Sequence, residues 1–372
     1  MPYKHLLHFA LNKELSEVYI THIVKSFALA LIGVFIPAYL IKLGYPIQSV
    51  FYFYLYWALC LLMAVVFITK LYTKIGIKHS IFLSMPIFIL YFLLLYSLET
   101  YSWNLFFIAA VSALANSFYW PAFHIEFIRS SDRKHRGEEL GTMNILAQLT
   151  VIFAPLLGGV IIFYLGFKVL FGLVALLLLF SPIALFFSKE VYTPVEFSLK
   201  YLFHKEHLKN FSVFFVEGVI HYVESVIWVV FIFLILKSFI SLGFLTTIII
   251  LFTTSITFIL GRLSDIISKR KLMRIGIFSS SVIWFFKTMA NSFVHFSIIN
   301  SLFGMAFTFL SVPYTALFYN KAAKHRPAEF VVFREVCLAL GRVVIMLFII
   351  LTGSFIGSFI IAGFSSLVFT FF

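Results

Sequence analysis

The chain has 372 residues, of which 62% are hydrophobic and 12% are charged. Soluble globular proteins carry about 25% charged residues, so this composition excludes a soluble protein and predicts one that crosses a membrane several times. The formal net charge of +13 could indicate a nucleic-acid partner, but the basic residues are dispersed among short segments between apolar runs. We therefore expect the lipid bilayer, and no nucleic acid, as the large partner.

Twelve apolar runs are long enough to form membrane-spanning helices, because about 20 helical residues cross the hydrocarbon core. Only residues 352–354 separate the last two runs, but a single helix over 331–372 would be about twice as long as the bilayer requires. We therefore predict an all-α integral membrane protein with twelve transmembrane helices, numbered here as spans 1 to 12. They cover residues 17–41, 50–69, 79–98, 104–128, 141–164, 167–187, 211–236, 240–260, 272–290, 294–319, 331–351 and 353–372.

Basic residues alternate between the two sets of loops. The N-terminal tail and the loops after spans 2, 4, 6, 8 and 10 carry 21 Lys and Arg residues, whereas the remaining loops carry Lys42, Lys168, Lys237 and Lys287. Positively charged loops stay in the cytoplasm, so we expect both termini there, in the cell membrane. The first apolar run is too long for a signal peptide and has no cleavage site.

The N-terminal end of the chain leaves two alternatives open. Residues 2–16 mix leucines with Lys4, His5 and Lys13, which fits either a short interfacial helix or a polar tail. In span 1, His22 and Lys25 lie one turn apart. We expect Lys25 to extend to the cytoplasmic surface, with an inward functional role as the alternative.

Three parts of the sequence recur at about half the chain length. Thr73 aligns with Asp265 and Pro121 with Pro313 at an offset of 192 residues, and the segments HRGEE and HRPAE align at 190. An internal repeat of this length predicts two pseudo-repeated six-helix bundles. We assign them to residues 1–187 and 211–372, joined by a cytoplasmic linker over 188–210 that includes an interfacial helix.

Span 7 carries unusual charges for a membrane helix. Glu217, His221 and Glu224 follow one another at intervals of four and three residues, so they share one helical face. A charged residue at depth costs about 2.5–3.5 kcal/mol on insertion scales, so three such groups imply a wet cavity or ionic partners. We expect proton coupling through Glu224, assisted by His221 and Glu217, with a structural ion pair between Glu217 and a basic residue as the alternative.

Further polar residues in the spans are candidates for the same cavity. Arg342, in the middle of span 11, could neutralise an acid, Glu224 in particular, or bind an anionic substrate. Arg334 and Glu335 lie near the cytoplasmic end of that span and are interpreted as a gate pair. In span 4, three side chains offer an amide, a phenol and an indole to a ligand, and these are Asn116, Tyr119 and Trp120.

Small residues recur in span 5, where close helix packing needs them. Gly141, Pro155, Gly158 and Gly159 lie in the segment GTMNILAQLTVIFAPLLGG, in which Pro155 predicts a bend. Between spans 8 and 9, the segment GRLSDIISKRK places an acid and two basic residues at fixed spacing where an apolar run meets water. Its key positions are Gly261, Asp265, Lys269 and Arg270.

These two segments resemble the motifs of the major facilitator superfamily (MFS) of transporters. The second is similar to the family pattern between helices 8 and 9, with Ser268 in place of the usual glycine, and the first is similar to the fifth-helix antiporter motif, from which Thr150 and Ala154 depart. The resemblance implies alternating access, a cytoplasmic charge lock at Asp265, and a cavity lined by spans 1, 4, 7 and 10. It also implies export, through the partial antiporter motif.

The sequence therefore predicts a proton-coupled secondary transporter of a small molecule. Its expected partners are the substrate and protons, and we expect a monomer. An uncoupled facilitator or uptake system and a non-transporting sensor are the alternatives. A membrane enzyme would need clustered metal-binding or catalytic acids, which the sequence lacks, and we expect no enzymatic activity, cofactor or metal. Cys60 and Cys337 both lie in apolar spans, so no disulfide framework is expected.

Overall fold

The computed structural model describes residues 13–131, 145–186, 198, 200, 203–263, 267–324 and 326–372. The described chain is helical almost throughout, which confirms the prediction of an all-α protein. The helices are α1 (Lys13–Ile32), α2 (Ile36–Lys42), α3 (Ile47–Ile75), α4 (Ile77–Ser97), α5 (Leu105–Ser130), α6 (Ala154–Phe180), α7 (Lys205–Leu208), α8 (Phe211–Tyr222), α9 (Trp228–Leu236), α10 (Phe239–Leu263), α11 (Lys269–Lys287), α12 (Phe293–Lys324), α13 (Pro327–Thr352) and α14 (Phe355–Leu367). Short 3-10 turns cover Gly33–Phe35, Ser181–Phe186 and Val368–Phe371, and a π-helical turn covers Val223–Ile227.

Within the described part of the chain, nine helical stretches are long and apolar enough to cross a membrane. One of them, residues 145–185, has 41 residues and is interrupted at Gly166, whose φ of 81° is not helical. Helix α11 and the shorter apolar stretch Phe355–Phe371 are additional to the nine. The chain is therefore a multi-pass membrane protein.

Glycines and capping side chains end and begin the helices where the sequence predicts loops. Gly76, with φ of 89°, separates α3 from α4, and Gly353, with φ of 63°, separates α13 from α14. A positive φ costs glycine little because it has no Cβ. The side chains of Asn104 and Ser354 accept hydrogen bonds from backbone N–H groups in the first turns of α5 and α14, which satisfies donors that a helix start leaves unpaired.

The helices pack in two groups with the same arrangement. In the first group α3 and α4 pack against α5, while α1 and α4 pack against α6. In the second group α10 and α11 pack against α12, α8 packs against α13, and α11 against α14. The most extensive contacts between the groups are those of α3 with α13 and of α6 with α10.

Some predictions fall outside the described residues. These are the N-terminal segment up to residue 12, most of the linker, Gly141 and Asp265. Within the linker, the described part includes the four-residue helix α7.

Candidate functional site

A cavity of about 850 Å³ lies between the two groups of helices. Its wall includes all three predicted span-7 residues, Glu217, His221 and Glu224, together with Arg342 on α13. His221 is exposed, whereas Glu217 and Glu224 are half-buried. The spacing in the sequence therefore brings these side chains to one cavity, in which Glu217 and Glu224 have different ionic partners.

Glu217 belongs to an ionic cluster at one end of the cavity. Arg334 donates to both of its carboxylate oxygens, with a distance of 3.2 Å from Nε to Oε2. The Tyr314 hydroxyl donates to the same Oε2 at 2.5 Å, and Arg334 Nη1 donates to Glu335 Oε1 at 3.1 Å. The predicted pair of Arg334 and Glu335 is thus extended by Glu217, because two-pronged guanidinium geometry suits a carboxylate.

Close packing of α8 against α13 brings this cluster together. A Cβ on Gly218 would lie 2.1 Å from the Leu338 carbonyl oxygen, and one on Gly341 would lie 2.0 Å from the Phe215 carbonyl oxygen. Neither distance is possible for real atoms, so both positions require glycine at this helix separation. The two glycines let α8 and α13 approach closely, and the side chains of Glu217 and Arg334 form their bidentate ion pair across this contact.

Glu224 pairs with a lysine that the sequence placed in a loop. Its carboxylate accepts a hydrogen bond from Lys287 Nζ at the end of α11, so the alternative in which Glu224 pairs with Arg342 is wrong. The lysine side chain is fully buried, and its ammonium group lies 3.8 Å from the centroid of the Phe303 ring and 4.0 Å from that of Trp284. Assigning Lys287 to an external loop was therefore also wrong, because this residue is the last one of α11 and its side chain is buried.

Recognising Lys287 from the sequence would have required reading it as an intramembrane charge. It lies inside the predicted span over 272–290, three residues from its end, where we counted it with the following loop. An ionisable residue within a span is a candidate for function by default. Applied to this position, that rule would have identified it.

Lys25 does not extend to a membrane surface. Only 1% of it is exposed, and its ammonium group lies 3.5 Å from the centroid of the Tyr119 ring, with Trp120 and Phe88 at 4.8 and 5.1 Å. The surface position predicted from the sequence is wrong because α5 covers this face of α1. In the described part of the chain, no carboxylate forms an ion pair with Lys25.

The polar groups predicted on span 4 are largely engaged with one another. Trp120 Nε1 donates to Asn116 Oδ1 at 3.1 Å, and both residues line the cavity. Tyr119 is fully buried, and its hydroxyl is hydrogen-bonded to His22 Nδ1 at 2.8 Å. The phenol therefore lies behind the cavity wall, and its predicted role as a ligand group is wrong. Glu126 is also buried and accepts from Arg129 on its own helix.

Arg342 lies in the cavity wall and has no ionic partner among the described residues. It is 8% exposed, and its guanidinium carbon lies 5.4 Å from the Trp57 ring centroid and 5.5 Å from that of Tyr222. Its Nε is buried without a hydrogen bond, and none of the described residues forms an ion pair with it. A guanidinium has five N–H donors, so this cation has capacity to donate hydrogen bonds into the cavity.

Aromatic contacts between the two groups of helices flank the cavity at both ends. At one end His124 Nδ1 is hydrogen-bonded to the Tyr319 hydroxyl at 2.7 Å, joining α5 to α12. Toward the other end the ring centroids of Phe35 and Phe239 are 6.3 Å apart, and α2 contacts α9. Side chains of one group therefore contact side chains of the other group at each end of the cavity.

The predicted helix-packing residues of span 5 lie between α1 and α10. A Cβ on Gly158 would be 1.9 Å from the Leu31 carbonyl oxygen, and one on Gly159 would be 2.7 Å from that of Phe239. The Pro155 carbonyl oxygen lies 2.4 Å from where a Cβ on Gly243 would be. This segment thus allows close approach to one helix of each group.

The predicted cytoplasmic lock is described only in part. Gly261 lies in α10, and Lys269 and Arg270 are exposed in the first turn of α11, whereas Asp265 is outside the described residues. Across the ranges that the structure covers, no three His, Cys, Asp or Glu side chains cluster closely enough to hold a metal ion.

The chain is similar to a known protein family and to a bacterial relative. The family model described as Major Facilitator Superfamily matches residues 18–241. An uncharacterized protein of Bacillus subtilis strain 168, YqgE, is 25% identical over 267 residues, which is 67% of this chain and 61% of the relative. The chain therefore aligns with about three fifths of the length of this relative.

Proposed function

Because the chain belongs to the Major Facilitator Superfamily, we propose that it is a secondary transporter that moves a small molecule across the cell membrane by alternating access. The observation that carries this proposal is a cavity between two groups of helices that is lined by acidic and basic side chains. Aromatic contacts between the groups flank this cavity at both ends. Such a cavity opens to one side of the membrane when the contacts at that end separate. Transporters built from repeats bind substrate at the interface between them.

We further propose twelve spans in two six-helix halves. The nine long apolar stretches give twelve when residues 145–185 are divided at Gly166 and α11 and Phe355–Phe371 are added. The repeated helix contacts support the division into halves over 1–187 and 211–372, with 188–210 as linker. The alternation of basic loops supports cytoplasmic termini.

Coupling to protons is proposed to depend on Glu224. This carboxylate faces the cavity and also holds Lys287 on α11, so a proton bound to it would remove its charge and release the lysine. Proton binding would then change the contact of the π-helical turn with α11, and π-turns are frequent at functional sites. His221 is exposed to the cavity one turn away and is proposed to assist Glu224.

Glu217 is proposed to act as a gate residue with Arg334 and Glu335. Its two oxygens are occupied by a guanidinium and a phenol, so this carboxylate is engaged in contacts between α8, α12 and α13. The cytoplasmic lock at Gly261, Asp265, Lys269 and Arg270 is proposed to act beside this gate. The residues Pro155, Gly158 and Gly159 support export as the direction, through their similarity to the antiporter motif.

Concentrative transport by the Glu224→Gln variant tests the proposal. Sugars, organic anions, nucleosides and lipophilic cations are first screened for thermal stabilisation of the purified protein, and the stabilising solutes are offered to proteoliposomes with an imposed pH gradient. The wild type is expected to accumulate such a solute, whereas the variant loses accumulation but retains counterflow exchange. Accumulation driven by the pH gradient in the variant would contradict coupling through Glu224.

An uncoupled facilitator is the second candidate, because the ion pair of Glu224 and Lys287 could be purely structural. A facilitator shows equal counterflow in the wild type and the variant and accumulates solute in neither. If the wild type shows neither accumulation nor counterflow, the non-transporting sensor is favoured.

A further inference from the structure

We propose that the cavity binds an organic anion, whose carboxylate or phosphate head pairs with Arg342 while its apolar body lies against the aromatic wall. This inference rests on the proposed function and names the class of its substrate. The observation that carries it is the buried guanidinium that faces the cavity without an ionic partner in the described chain.

The position of Arg342 gives it unused hydrogen-bonding capacity. Its guanidinium group has five N–H donors, and none of them is bonded to a described residue. The rings of Trp57 and Tyr222 stabilise the positive charge from their faces but accept no conventional hydrogen bond. A planar two-oxygen anion matches the fork of donors and can accept two of them at once.

The nearest acidic cluster is already bound to another arginine. Glu217 and Glu335 both pair with Arg334, and Glu335 precedes Arg342 by seven residues on α13. Seven helical residues correspond to a rise of about 10 Å, so this cluster attracts Arg342 over a distance without taking up its hydrogen bonds. An anion held at Arg342 would supply the local counter-charge.

The surrounding wall favours an aromatic or other apolar body. The indole nitrogens of Trp57 and Trp120 donate to Ser112 and Asn116 at 3.1 Å each, so their polar edges are engaged within the protein. Both rings line the cavity, and further aromatic side chains line it with them. These are Phe53, Tyr54, Phe88, Tyr91, Phe92 and Phe123.

Three analogues that differ only in their head group test this specificity. Thermal stabilisation of the purified full-length protein is measured with 4-phenylbutyrate, 4-phenylbutyramide and 4-phenylbutylamine. We expect stabilisation by the carboxylate and at least about tenfold weaker binding of the amide and the amine, since a charge-assisted hydrogen bond is lost. In Arg342→Gln the carboxylate is expected to lose at least about tenfold in affinity, whereas Arg342→Lys retains part of it.

The variant itself distinguishes a ligand-binding cation from a structural one. If Arg342 mainly served as the counter-charge of the acidic cluster, Arg342→Gln would lower the melting temperature of the unliganded protein. We expect no decrease, because removing an unpaired buried charge relieves its desolvation. The matched control is Lys237→Gln, which removes a cation at an exposed helix end and should leave the preference for the carboxylate unchanged.

The outcomes separate this inference from the proposed function. Equal binding of the three analogues, unchanged selectivity in Arg342→Gln, a decrease in its unliganded melting temperature, or no stabilisation by 4-phenylbutyrate would each overturn the anion site. Binding of 4-phenylbutyrate through Arg342 without transport in proteoliposomes would support the site and contradict the function. Transport of a neutral or cationic solute would support the function and contradict the site.

Discussion

Two ion pairs, one from Glu217 on α8 and one from Glu224 in the π-helical turn, hold the charged face of the cavity in place. Lys287 has no exposed surface, while the Glu224 side chain keeps 23% of its surface exposed. Removing one partner of a buried pair leaves an uncompensated charge, which costs about 3–5 kcal/mol in well-buried cases. The aromatic rings around Lys287 reduce this cost without replacing the carboxylate.

The first prediction concerns the stability of variants in which the ion pair of Glu224 and Lys287 is removed. Lys287→Met and Glu224→Gln should each lower the free energy of unfolding by about 2–4 kcal/mol, and the double variant should lose less than the sum. Chemical denaturation in detergent measures these values. The control is Lys168→Met, which removes an exposed partner of Glu99 and should cost less than about 1 kcal/mol. Additive losses in the double variant would show that the two side chains are not coupled.

Spacing along α8 was enough to predict that Glu217, His221 and Glu224 share one face. The partners could not be predicted in the same way, because they come from helices distant in sequence. Arg334 is supplied by α13 and Lys287 by α11, and which helices are neighbours is decided by packing of the whole bundle. Short-range periodicity carries no such information.

At the scale of the elements, glycines set the distance between helices that carry the charged residues. Gly341 lets α13 approach α8 so closely that its missing side chain would overlap the Phe215 carbonyl. The sequence predicted small-residue packing for span 5 from its motif, but offered no motif at this contact. The close approach here was therefore not foreseen.

Substitution of Gly341 tests this packing. Gly341→Ala forces α8 and α13 apart, so we expect a loss of about 1–3 kcal/mol in the free energy of unfolding, together with reduced transport. Gly172→Ala is the matched control, since a Cβ on this α6 glycine meets no atom within 4 Å. Alanine's better helix propensity should make this control neutral or more stable by up to about 1 kcal/mol. Equal effects at both positions would contradict the packing role.

At the scale of the whole molecule, length, hydropathy and charge alternation predicted the helical membrane fold. The turn at Gly353 was expected because an uninterrupted helix over 331–372 would exceed the bilayer thickness, and Gly166 lies in the predicted gap between spans 5 and 6. The cavity was predicted only as a consequence of charges in span 7, and its aromatic wall could not be separated from a background of 50 Phe residues. Which aromatic faces the cavity depends on helix rotation, and the sequence alone does not fix it.

Alternating access makes one prediction about the cavity that needs no substrate. Ser225 is exposed in the wall beside Glu224, so a cysteine there should react with reagents from each side of the membrane in turn. Glu224→Gln resembles the protonated carboxylate and should shift the balance between the two sides, because a ligand changes populations only through different contacts in the two states.

The most direct measurement is labelling of single cysteines by an impermeant maleimide, in intact cells and in inside-out vesicles, after Cys60 and Cys337 are replaced by alanine. Ser225→Cys should react from both sides, with rates that change in opposite directions with pH. Lys237→Cys should react only from outside and Lys205→Cys only from inside, which fixes the orientation. Reaction of Ser225→Cys from one side alone at every pH would contradict alternating access through this cavity.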